Sequence, residues 1–137
     1  MMTDMTMDNF LAVLSSSEPV PGGGGACGYV AAVGMSLGNM VLALTTGKKK
    51  YAEYQEEIEE LIVKATDLTK RLAECMDKDA ESFKPLAAAY GLPKDTEEQI
   101  KEREAIMAKA LVTASEAPLS MICLLYTSDA ADDRISV

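Results

Sequence analysis

Four consecutive glycines, Gly22–Gly25, stand behind Pro19 and Pro21 and run directly into a stretch, Ala26 to Leu44, that carries no charge. The prolines fix φ and hold the approach extended, while the glycines remove every Cβ from the first turn of the helix that follows. A helix opening this way presents unpaired N–H groups and the positive end of its dipole where something can come very close. A carboxylate, a phosphate or a polarised oxygen suits such a terminus. Tight packing against a neighbouring helix suits it equally, and the residue types alone leave both readings open.

Two familiar glycine motifs do not account for the run. Gly23 to Gly28 satisfies G-x-G-x-x-G, but Ser15 to Pro21 makes no strand, and Lys48 rather than an acid lies about twenty residues on. Gly47-Lys48 resembles the end of a phosphate-binding P-loop, yet Lys49 stands where Ser or Thr is needed, and Leu42 where the first glycine belongs.

Composition narrows the chemistry. The 137 residues, 48% of them hydrophobic, suffice for one domain with a core. A net charge of −9 argues against nucleic acid as a partner, because phosphate binding needs a basic face and the only basic cluster is Lys48-Lys49-Lys50. Any anion held by that triplet is small. The absence of histidine removes imidazole bases, His-dependent triads and His-ligated zinc, and no metal site is expected. Acid–base work falls to carboxylates, lysines or tyrosines. Cys27, Cys75 and Cys123 show no paired spacing, and the N-terminus lacks a signal-peptide pattern, so a reducing cytoplasm is the expected location.

Apolar residues recur at three and four between sparse prolines and glycines, which predicts an all-α bundle. A short helix over about 7–14 has Thr6 as its N-cap and is expected to act as a lid or clamp. The next, about 25–45, is apolar or small on every side and contains Gly34 and Gly38 at G-x-x-x-G spacing. It reads as a buried Gly/Ala-rich central helix, the alternative being a single membrane span. From Lys50 to about Ala89 a stripe of Tyr54, Ile58, Leu61, Ile62, Ala65, Leu68, Leu72, Cys75, Met76 and Phe83 predicts one long amphipathic helix packed on it, with Glu53, Glu56, Glu57, Glu59 and Glu60 in solvent. Gly91-Leu92-Pro93 ends that helix. Asp95 to Gln99 then caps a fourth, with Ile100, Ile106, Met107, Ala110, Leu111 and Ala114 on its apolar side, expected to stop at Pro118 where another begins.

Residues 123–137 do not continue the helical periodicity and resemble in-frame translation of sequencing-adapter DNA. The expected division is a partial native domain over 1–122 followed by a non-native tail.

Asp79 lies seven residues after Leu72, three after Met76 and four before Phe83, so it falls on the inward stripe, while Asp77 and Glu81 are expected in solvent. A carboxylate turned inward is costly unless it is paired, caps a helix or works chemically, and burial tunes such a group for proton transfer. The residues alone leave these roles open.

Four ordered segments carry a family resemblance: Pro19-Val20-Pro21-Gly22-Gly23-Gly24, Leu44 to Tyr51, Asp77-Lys78-Asp79-Ala80-Glu81-Ser82-Phe83, and Leu92-Pro93-Lys94-Asp95-Thr96. Together, over about Phe10 to Ile122, they resemble the cyclodeaminase/cyclohydrolase family, which includes formiminotetrahydrofolate cyclodeaminase domains and stand-alone bacterial methenyltetrahydrofolate cyclohydrolases. Gly25 departs from the family's usual Ser, and the C-terminal third of the family pattern is missing. The resemblance implies an all-helical homodimeric enzyme acting on a tetrahydrofolate derivative, with no cofactor beyond that substrate. It implies Asp79 as catalytic acid/base. Pro21, Gly22, Gly23 and Gly24 would line the pterin or reacting end, and Lys48, Lys49 and Lys50 would meet the glutamate-tail carboxylates, with Thr45 and Tyr51 as further contacts. A non-catalytic helical dimerisation module is the competing reading.

Overall fold

The structure is a computed structural model that describes the backbone of residues 1–135 and the side chains of residues 1–126. Four α-helices make up the fold, with no strand among the described residues: α1 (Met7–Leu14), α2 (Gly23–Thr45), α3 (Gln55–Tyr90) and α4 (Glu97–Ile135). Short 3-10 turns at Met2–Asp4 and Lys49–Tyr54 complete it.

Local chemistry accounts for the helix ends. Thr6 Oγ1 accepts from the N–H of Asn9 and starts α1. Gly47, with φ of 75°, is the only positive-φ residue among those described and reverses the chain after α2. Its N–H donates to Gln55 Oε1 at 2.9 Å, tying the turn to the start of α3. The α-helix begins at Gln55 rather than Lys50, because Tyr51 has non-helical angles inside the intervening 3-10 turn. At α4 the capping box is Thr96 with Gln99: Thr96 Oγ1 accepts from the Gln99 N–H at 3.3 Å, and Gln99 Oε1 accepts from Asp95 and Thr96.

α2 and α3 form an antiparallel hairpin, and α4 returns along α3. Their shared core consists of Ala32, Leu68, Leu72, Cys75, Met121 and Leu124, with a second cluster of Leu42, Ile58 and Ala65 towards the turn. Leu72 is fully buried, a site where one side chain contributes about 1.5–3 kcal/mol of transfer free energy. The predicted α3 stripe is therefore correct through its middle, and the five glutamates opposite are exposed. Tyr54, expected on that stripe, is exposed. Leu86 and Ala89 extend the buried face beyond Phe83.

Three expectations require correction. α2 is not buried all round: Gly25, Gly28, Ala32 and Leu42 face the core, whereas Val30, Val33, Leu37, Met40, Val41 and Leu44 are exposed. In a hairpin flanked by α4, only one side of α2 finds partners. Gly34 and Gly38 lie on the open side, with nothing within 4 Å of a Cβ built on either.

α4 also runs unbroken through Pro118 and past Cys123 to Ile135. Proline removes one backbone donor, but Ala117 and Met121 on either side are buried, and this packing holds the helix across it. Leu124 lies in the core, so helical periodicity continues beyond Ile122. The side chains of most of the expected non-native segment, from residue 127, fall outside the described residues. Finally, the inner face of α4 is Ala110, Ala117, Met121 and Leu124, while Ile100, Ile106 and Leu111 are exposed.

Candidate functional site

The N-terminus of α2 has no local side-chain cap, because its N-cap residue is Gly22. Asp79 supplies one from α3. Its Oδ2 accepts a 2.8 Å hydrogen bond from the backbone N–H of Gly25. This bond requires the backbones of α2 and α3 to approach closely: a Cβ on Gly25 would lie 3.7 Å from the Cα and carbonyl oxygen of Met76. Met76 packs at that crossing, and Asp79, one turn further on, swings its carboxylate across the opening of α2. The positive end of the α2 dipole and the free N–H groups of its first turn face the carboxylate.

Gly24 is the tightest point. A Cβ there would sit 2.7 Å from Asp79 Oδ1 and 3.0 Å from Cγ, so glycine is what allows the carboxylate to lie flat against the turn. Gly22 is looser, since a Cβ there would lie 3.9 Å from Oδ2, and a Cβ on Gly23 would meet nothing within 4 Å. None of the four glycines has positive φ, so close approach and not backbone conformation accounts for them. Pro21 is buried behind the loop, joined by a cis Val20–Pro21 bond. α1 meets α2 through its buried Phe10, whose ring lies 5.4 Å from that of Tyr29 between centroids.

Asp79 is half-buried, and no polar or charged side chain among the described residues is fully buried. The carboxylate thus has one oxygen anchored and remains reachable from solvent, an arrangement able to hold or pass a proton at an adjacent reacting atom. Glu81 is exposed, as expected, beside Lys84. Asp77 is not simply solvated: its carboxylate accepts from the Met2 N–H at 2.6 Å and ties the N-terminal turn to α3.

The remaining candidates lie elsewhere. Thr45, Lys48, Lys49, Lys50 and Tyr51 cluster beyond the C-terminal end of α2, separated from Gly24 by the length of the helix, about 30 Å at ~1.5 Å per residue. The Thr45 hydroxyl donates to the Val41 carbonyl at 2.7 Å. Lys48, Lys49 and Lys50 are exposed, and Lys50 Nζ sits 5.3 Å from the centre of the Tyr51 ring. Tyr51 packs against the Leu42, Ile58 and Ala65 cluster. Within one chain Pro21, Gly22, Gly23, Gly24 and Asp79 come together, and the lysine group does not join them.

One residue with a large positional role was not singled out from the sequence. Gly28 brings α2 against both neighbours, since a Cβ there would lie 2.9 Å from Met121 Sδ and 3.2 Å from the Leu72 carbonyl oxygen. The signal was present in the spacing of Gly25, Gly28 and Ala32, a small-residue face at three and four. No group of three or more metal-ligating side chains occurs among the described residues.

Residues 6–128 match the family model for formiminotransferase-cyclodeaminase. The chain is 42% identical over 115 residues to a methenyltetrahydrofolate cyclohydrolase of Methylorubrum extorquens, covering 84% of this chain and 55% of that protein. It is 33% identical over 126 residues to a formimidoyltransferase-cyclodeaminase of Dictyostelium discoideum, covering 92% of the chain and 22% of the relative. A Mus musculus protein of the same name is 28% identical over 118 residues, covering 86% and 22%. The chain thus spans about half the length of the cyclohydrolase and about a fifth of the longer enzymes. A family match over most of the chain, with its glycine loop and facing aspartate brought together by the fold, places the protein in the formiminotransferase-cyclodeaminase family.

Proposed function

We propose that the chain carries the reacting end of a folate enzyme that hydrolyses 5,10-methenyltetrahydrofolate to 10-formyltetrahydrofolate, with Asp79 as its acid/base. The observation that carries this reading is the Asp79 carboxylate held against the first turn of α2 by Gly25, with Gly24 leaving room for it. In hydrolysis, Asp79 takes a proton from the water that attacks the methenyl carbon and returns it to N5 as the N5–carbon bond opens, while the proton of the new hydroxyl is lost to solvent and the formyl carbonyl forms on N10. Gly22 and Gly23 present backbone to the pterin end, with Pro21 shaping the loop behind them. Cyclodeamination of 5-formiminotetrahydrofolate is the second reading. Relatives with that name share the same region, and the same carboxylate can deliver a proton to the departing ammonia as N10 closes the ring. The higher identity to the cyclohydrolase favours hydrolysis.

The subunit works as a homodimer in the cytoplasm, with no cofactor beyond the folate, and Lys48, Lys49 and Lys50 hold the glutamate tail. The exposed apolar side of α2 supports a dimer. α2 is also long and apolar enough to cross a membrane, as is α4, which keeps a membrane-bound form as an outcome to be tested. Loss of methenyltetrahydrofolate absorbance, followed with the wild-type chain and Asp79→Asn, tests the reading. Turnover by the wild type that disappears in the variant supports it. Equal rates remove Asp79 from the mechanism, and release of ammonia from the formimino substrate without hydrolysis selects the second reading.

A further inference from the structure

Pro118 stands inside α4, and proline has no backbone N–H. The carbonyl of Ala114, four residues earlier, therefore lacks the donor that a helix would give it, and the proline ring pushes that carbonyl outward from the helix axis. Where this acceptor lies follows from the contact at Gly28. A Cβ there would touch both Met121 Sδ of α4 and the Leu72 carbonyl oxygen of α3, so these two residues stand level with one another. α4 runs antiparallel to α3, and seven residues make close to two helical turns, ~10.5 Å along the axis and nearly the same face. Seven back from Met121 is Ala114, and seven on from Leu72 is Asp79. Both steps run the same way, towards the end of α2 where Gly22 to Gly25 open. The Ala114 carbonyl and the Asp79 carboxylate thus stand level, one on α4 and one on α3.

Burial gives the flank as well as the level. Beside the buried row of Ala110, Ala117, Met121 and Leu124, the residues Ala114 and Pro118 are half-buried, whereas Thr113 and Glu116 on the other side are exposed. Pro118 neighbours Met121 at three residues, and Met121 is the side chain that reaches α2. The half-buried flank is the one turned to the glycine loop.

Two acceptors facing one opening hold a water molecule by both of its O–H bonds and leave a lone pair to point elsewhere. We propose that the Ala114 carbonyl, freed by Pro118, holds the attacking water together with Asp79, one O–H donating to the carboxylate and the other to the carbonyl, with the lone pair directed at the methenyl carbon. This assignment rests on the folate reading above. As the oxygen bonds to carbon, Asp79 takes the first proton and returns it to N5. The second stays on the oxygen as the new hydroxyl, still donating to Ala114, and is lost to solvent when the N5–carbon bond opens and the formyl carbonyl forms. The Ala114 carbonyl takes no proton at any point; it orients the water. Pro118 is then a positioning residue, since it acts only by keeping that carbonyl free. Alanine in its place would restore the helical bond and stabilise α4, so the fold gives up a hydrogen bond that the site uses.

Three forms of the full chain test this: the wild type, Pro118→Ala, and a chain carrying at position 118 the α-hydroxy analogue of alanine, which has the same methyl but an ester oxygen in place of the N–H. Pro118→Ala supplies the N–H that occupies the Ala114 carbonyl. It should melt above the wild type yet hydrolyse 5,10-methenyltetrahydrofolate ~10–100-fold more slowly, with the loss in kcat and little change in KM. The ester chain should melt below the alanine variant and recover most of the lost turnover, because its Ala114 carbonyl is free again. A proline kept only for structure would not move stability and activity in opposite directions. Turnover equal to the wild type in Pro118→Ala, an equal loss in the alanine and ester chains, or a lower melting temperature with turnover falling only with the folded fraction overturns the proposal. In each of these cases inactive Asp79→Asn beside an active wild type leaves the folate reading standing. A wild type without hydrolysis defeats that reading and the water assignment together.

Discussion

The Gly25 N–H donates to Asp79 Oδ2 at 2.8 Å, joining the first turn of one helix to a carboxylate fifty-four residues later in another. This bond caps α2 and fixes an acidic group at the glycine loop. The structure shows Asp79 as a helix cap, and its place as a working group is the proposal that variants at this position test.

Substitutions at Asp79 separate the two roles. Asparagine keeps an oxygen able to accept from Gly25, so Asp79→Asn should unfold within a degree or two of the wild type, whereas Asp79→Ala leaves the turn uncapped and should cost about 1 kcal/mol. Both should lower turnover by ~10²–10⁴-fold, since neither exchanges a proton in this range. Thermal unfolding measured beside folate turnover checks the pair, and an active Asp79→Asn protein would contradict the assignment.

Gly24 and Gly23 should behave differently although they are neighbours. A methyl on Gly24 meets the Asp79 carboxylate at 2.7 Å and forces it aside. Because the displaced atoms end a flexible side chain, and alanine is favoured over glycine in a helix by up to about 1 kcal/mol, stability should change little while turnover falls. A methyl on Gly23 meets open space, so Gly23→Ala should fold at least as well as the wild type and lose substrate affinity only where the ligand approaches that face. Titration with folate and a melting curve for each variant provide the measurement. A large stability loss for Gly24→Ala would show that packing, and not placement of the carboxylate, requires the glycine.

Gly28 is the position where a methyl should damage the fold itself. The Leu72 carbonyl at 3.2 Å belongs to backbone and cannot turn away, even if Met121 does. Overpacking at such a contact costs roughly 1–3 kcal/mol, more than the helix-propensity gain of up to ~1 kcal/mol returns. Gly28→Ala should lower the melting temperature, with affinity falling only in proportion to the folded fraction.

Lys48→Ala and Lys49→Ala should weaken polyglutamylated folate more than the monoglutamate, and the difference should shrink as salt is raised, since exposed charges are screened beyond about 8–10 Å at physiological ionic strength. Binding measured at two salt concentrations with both ligands decides this. Equal losses for both forms would place the lysines away from the tail.

The helices themselves were legible from local chemistry. Thr6 before Met7, Thr96 with Gln99, and the three-and-four spacing of Ile58, Ala65, Leu68, Leu72 and Met76 are short-range patterns, and the structure reproduces each. The inward position of Asp79 followed from the same arithmetic, because its helix phase is set by its distance from Leu72 and Met76. Helix phase identifies a shared face but not what covers it. Only the tertiary structure decided that Gly25, Gly28 and Ala32 face α3 while Leu37 and Met40 face outward, since a helix apolar on all sides has no phase that selects its partner. Only packing decided that α4 crosses Pro118, where buried Ala117 and Met121 outweigh one missing hydrogen bond. The separation of Lys48 from Asp79 was also beyond the sequence: the segments are placed in space by the length of α2, and a rigid helix holds its two ends apart.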